Sequence, residues 1–152
     1  MRSQVLLAVA ALLGVGAGPI CAAGIDERPA DLQSIQALEA RASAAQPREQ
    51  CFLYAELVHQ MTELSVREYA AGDVENASGM LRRIRQLAQK IHLAMGGNDK
   101  RLKNAEILLN HTAFRLNGLL HGSSFEDRAL VEATLTDINQ AQSEAMMQVF
   151  RK

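Results

Sequence analysis

Apolar residues recur along this chain at intervals of three and four rather than two, a pattern that predicts helices and no strands. The most regular stretch is Lys100–Gly122. There Leu102, Ala105, Leu109, Thr112, Leu116 and Leu119 follow one another at spacings of 3, 4, 3, 4 and 3. Ile107, Leu108, Phe114 and Leu120 widen that seam into a face that two neighbours could grip, which predicts a helix held inside a bundle.

The remaining helices follow from the same period. Leu32, Ile35, Leu38 and Ala42 share one face of a helix opening at Asp31, too weakly apolar to persist unless it docks. Gln46-Pro47 ends it, because the residue before a proline avoids the α region and proline suits the first turn of a new helix. Arg48–Ala71 then places Cys51, Tyr54, Val58 and Met61 on one seam, with Leu53, Leu57 and Leu64 beside it. Whether the first helix runs on into this one or folds back is left open by the pattern. Gly72 can take positive φ to close a helix, and Asp73 can cap the next one through its side-chain oxygen. Val74 to Met95 form a third long helix ending at Gly96-Gly97, with Asn98 or Asp99 expected to cap the fourth. His121-Gly122 closes that fourth helix, and Ser124 with Asp127 resembles a capping box for the last, carried by Val131, Leu135, Ile138, Ala145 and Val149. The expected fold is all-α: an up-down antiparallel helical bundle of four long helices plus one shorter N-terminal helix, over residues 31–152.

Glu68-Tyr69-Ala70-Ala71-Gly72-Asp73-Val74-Glu75-Asn76-Ala77 resembles the helix–turn–helix of tetratricopeptide repeats, which place an aromatic residue, a glycine and an alanine near such a turn. The resemblance covers one hairpin. It implies a solenoid unit, but no 34-residue period accompanies it.

Residues 1–23 carry a different signal. Arg2 precedes an apolar run from Val5 to Val15, Gly16, Gly18 and Pro19 break the helix, and Cys21-Ala22-Ala23 offers small residues before a cut ahead of Gly24. The run is too short to span a bilayer, so it reads as a signal peptide and the chain as exported, with a bacterial periplasm as the expected compartment. Cys21 sits where a lipoprotein would be modified, although Gly18-Pro19-Ile20 matches that pattern poorly. Residues 24–30 form a polar leader. Residues 24–152, the leader included, are 129 of the 152 and hold 15 basic and 17 acidic side chains, and this slight acidic excess argues against nucleic acid as a partner. No transmembrane helix is expected in the mature form. Cys51, its only cysteine, cannot form an internal disulfide and is expected to be buried beside Phe52 and Leu53.

Few residues invite chemistry. Glu56 and His59 have the i, i+3 spacing used by di-iron bundles, yet no second such motif exists. Together with His111, on a stripe with Ile107, Phe114, Gly118 and His121, they are the candidate metal or haem ligands. Arg82, Arg83 and Arg85 before the Gly-Gly turn and Lys100 and Arg101 after it suggest a basic end that could meet an anion, an acidic partner or a lipid surface. A nucleophile elbow, a phosphate-cradling loop and His-Glu-x-x-His are all absent. The expected function is therefore an exported, non-enzymatic interaction, scaffold or stress-related module with a protein partner and no cofactor, as monomer or homodimer. A metal- or haem-binding bundle is the alternative.

Overall fold

A computed structural model describes residues 30–95 and 101–151, and the signal-peptide reading falls outside them. The described residues form five helices and no strand: α1 (Leu32–Ala44), α2 (Pro47–Ala71), α3 (Val74–Ala94), α4 (Leu102–Gly122) and α5 (Phe125–Phe150). None is long and apolar enough to cross a membrane.

Local signals account for most of the boundaries. Asp31 and Ser34 close a reciprocal capping box at the start of α1. Ala45 and Gln46 adopt extended backbone, and Pro47 then opens α2, so the two helices are separate. α1 folds back along α2: Gln50 donates to the Ala42 carbonyl near the turn, and Arg67 donates to the Ala30 carbonyl at the far end. Gly72 has φ 86°, and the amide that follows it bonds back to the Glu68 carbonyl at 2.9 Å. Asp73 then accepts the Asn76 amide at 3.2 Å, as its position before α3 predicted.

Two caps differ from expectation. α4 begins behind Arg101, which offers no side-chain cap, whereas Asn98 and Asp99 lie outside the described residues. Ser124 stands at the N-cap of α5, but its hydroxyl donates to the Asp127 carboxylate at 2.9 Å instead of capping a backbone amide.

Each helix reverses the one before it, giving an up-down bundle. α2, α3, α5 and α4 occupy successive corners, with α2 touching α3 and α4, and α5 touching the same two. Consecutive helices α3 and α4 are therefore diagonal. The up-down order expected from the sequence is kept, while the packing order, which the sequence pattern leaves open, is set by contacts between non-consecutive helices. The cross-links show how the corners fit. His59 meets Thr112 and Glu63 meets Arg115, so α2 and α4 run parallel. Arg85 meets Asp137 and His92 meets Glu144, so α3 and α5 do likewise. The molecule is two antiparallel hairpins stacked in the same direction, their partners 52 or 53 residues apart.

The core is lined by Leu57, Val58, Met61, Leu81, Ile84, Ile91, Leu109, Leu116 and Ile138, all essentially inaccessible. Burial of each such side chain contributes about 1.5–3 kcal/mol. Small hydroxyl residues sit among them: Thr62, Thr112 and Thr134 each donate to the carbonyl four residues back, while Ser65 bridges α2 to the Ala77 carbonyl of α3 at 3.0 Å. Cys51 is fully buried, as its neighbours suggested.

The helix at the centre is α2, held by α1, α3 and α4, and not α4. α4 is gripped from two sides, by α2 and α5, with Leu102, Ala105, Leu109, Thr112 and Leu116 buried and Leu108, Ala113, Leu119 and Leu120 partly so. Ile107 and Phe114, expected to widen that seam, are 41% and 76% exposed. A bundle corner has two neighbours, and the outer half of such a helix meets solvent whatever its composition.

Candidate functional site

Those displaced apolar residues define the most distinctive face of the molecule. On α2, Phe52, Glu56, His59, Glu63, Val66 and Ala70 form one stripe at helical spacing. On α4, Asn104, Ile107, His111, Phe114 and Gly118 form another. Because α2 and α4 are parallel, the stripes lie side by side and enclose a shallow groove.

The groove is apolar at both ends and polar in the middle. At one end Phe52, Ile107 and Leu108 surround about 310 Å³ beside Glu56. At the other, Val66, Ala70, Phe114, Gly118 and Gly122 surround about 450 Å³. Between them Arg115 grips Glu63, and the rings of His59 and His111 stand 6.4 Å apart, tilted by 55°.

Glu56, His59 and His111 are thus brought to one face, although not to the bundle axis, which Leu57, Val58, Met61 and Leu109 fill. Glu56 and His59 are half-buried, and one oxygen of Glu56 is enclosed with no hydrogen-bond partner. His111 is exposed, so the stripe it shares with Ile107 and Phe114 does not bury it. Burial holds the His59 imidazolium below its ordinary pKa; Glu63 opposes this, while His111 and Arg115 reinforce it.

The basic residues are not gathered at one end. Arg83 pairs with Glu39 of α1, and Arg85 pairs with Asp137 of α5 at 2.7 Å. Arg82 lies toward Tyr69. Arg101 stacks on the Phe52 ring, 3.6 Å from its centroid, and Lys100 lies outside the described residues. Arg82 to Arg85 stand mid-helix, at least nine residues before the end of α3, about 14 Å along its axis.

A second groove went unread in the sequence. It runs between α3 and α5, holds about 370 Å³, and is lined by Ala88, His92, Leu93, Gln140, Ala141 and Glu144. Its signal was a match of charges between helices that are not consecutive: Arg85 with Asp137 and His92 with Glu144. Nothing in the local pattern pairs α3 with α5, so the match carries meaning only once the stacking is known. Tyr69, at the wide end of the first groove, has a buried hydroxyl that lies toward the Asp127 carboxylate. Burial, followed by the negative charge of Asp127, pushes its pKa up to about 12.

Comparison with known proteins finds no family model, no curated protein and no solved structure that matches the chain.

Proposed function

We propose that the chain is an exported, periplasmic, non-enzymatic interaction module that receives a helix of a partner protein in the α2/α4 groove. The observation that carries this reading is Phe114. It stands 76% exposed at the mouth of a groove whose floor is opened by glycine, with nothing within 4 Å of the space a Cβ would take at Gly118 or Gly122. An exposed phenylalanine forgoes about 2–3 kcal/mol of burial, an amount recovered when a partner covers it.

The shape selects the occupant. From Phe52 to Val66 is fourteen residues of α2, so the two apolar ends lie about 21 Å apart. A helix of about four turns spans that distance with apolar anchors at its ends and polar residues over the centre. Four residues of α2 and α4 at that centre, Glu63, Arg115, His59 and His111, offer both donors and acceptors.

The test is a photo-crosslinking residue at position 114, introduced in the native host. The expected result is one discrete heterologous adduct in the exported fraction, lost when Gly118→Trp fills the groove and kept when Arg83→Ala alters a distant surface. An adduct of the chain with itself would replace the partner by a second copy. Failure to form any adduct from a protein of normal helicity would overturn the reading.

A further inference from the structure

We propose that His59 and His111 form a two-histidine site for a divalent transition-metal ion of the zinc or copper class. The geometry begins with Thr112. Its hydroxyl donates to the Leu108 carbonyl at 2.8 Å, which leaves only a lone pair for His59 Nδ1 at 3.2 Å. Nδ1 must therefore carry the proton, and Nε2 presents a free lone pair. This is the arrangement of a ligating histidine, where a hydrogen bond on one nitrogen fixes the tautomer and aims the other.

The second ligand is within reach. Metal–nitrogen bonds of about 2.0–2.1 Å place each ring centroid about 3 Å from the ion, so two rings sharing it tetrahedrally lie about 5–6 Å apart. The observed 6.4 Å is just outside that span, and His111 is exposed and free to close the difference by a side-chain rotation. The charged groups facing the site are Glu63 of α2 and Arg115 of α4. They pair with each other, so Arg115 is neutralised by Glu63 and opposes a bound cation little. Among the described residues no third His, Cys, Asp or Glu joins the pair, so water completes the coordination sphere. Imidazole favours zinc, copper and nickel over calcium or magnesium.

The site stands apart from the helix-docking reading, since it needs no partner. Titration of zinc and of copper(II) into untagged protein, purified without chelator, tests it by calorimetry. The expected result is one equivalent bound with micromolar affinity, weakened at least about tenfold by His59→Ala or His111→Ala. His92→Ala and His121→Ala should bind as the parent does. Thr112→Val, which frees the tautomer while keeping both ligands, should weaken binding less than loss of either histidine. His111→Ala removes an exposed side chain and keeps the test clear of misfolding; copper spectra showing two nitrogen ligands in the parent and one in that variant would corroborate it. Binding absent at millimolar metal, or unchanged in both histidine variants, would overturn the proposal.

Discussion

Arg115 closes a two-point grip on Glu63, with Nε 2.6 Å from one carboxylate oxygen and Nη2 2.9 Å from the other, and this clamp ties the two hairpins together. The side chains are 43% and 33% exposed, so water and salt screen much of the attraction. A double-mutant cycle with Glu63→Ala and Arg115→Ala should give a coupling of about 0.5–1 kcal/mol by urea unfolding at low salt. That coupling should shrink at high salt.

His59 and Glu144 make stability depend on pH in two separate windows. The folded-state pKa of His59 lies below its ordinary value of 6.5, so the unfolded chain takes up protons first as pH falls. Stability should decline below pH 6.5. His59→Asn should flatten that decline. The His92 hydrogen bond holds the Glu144 carboxyl below its ordinary 4.5, so its contribution is present above that value and is lost as pH falls through the folded pKa. Glu144→Gln should remove only this more acidic loss. Urea midpoints measured across both windows check each assignment.

Leu109 and Phe114 are both apolar residues of α4 with opposite surroundings. Leu109 is fully buried, and Leu109→Ala should cost about 2–5 kcal/mol through lost burial and the cavity left behind. Phe114→Ala should change stability by no more than about 0.5 kcal/mol. Thermal unfolding of the two variants would separate core from groove.

Gly72 and Gly118 should respond to alanine with opposite signs. Neither has an atom within 4 Å of the added methyl, so backbone conformation decides. At Gly72, φ of 86° strains any L side chain, and the loss should be about 1 kcal/mol. Gly118 is helical, and alanine there should gain about 0.5–1 kcal/mol.

The helices were legible because period and punctuation agree: the Leu102–Leu116 seam, Gln46-Pro47 and Gly72-Asp73 each act within a few residues. Partner choice was not. A 3.6-residue period identifies a face but not what covers it, so Ile107 and Phe114 read as core although they border the groove. Placing α3 diagonal to α4 depends on packing across the whole chain, and no local signal in either helix encodes it. For the same reason His59 and His111 could be named as candidates, whereas Thr112, which orients His59, read only as part of the seam.

The stacking of the hairpins also sets an order of assembly. Contacts inside each hairpin close short loops, whereas those between hairpins close loops of 52 or 53 residues. Longer loops cost more chain entropy and slow folding, so the hairpins should form early and dock last. The α2/α4 groove exists only after docking. Any ligand bound across it would therefore slow the separation of the two halves, and the lifetime of the native state would report on occupancy.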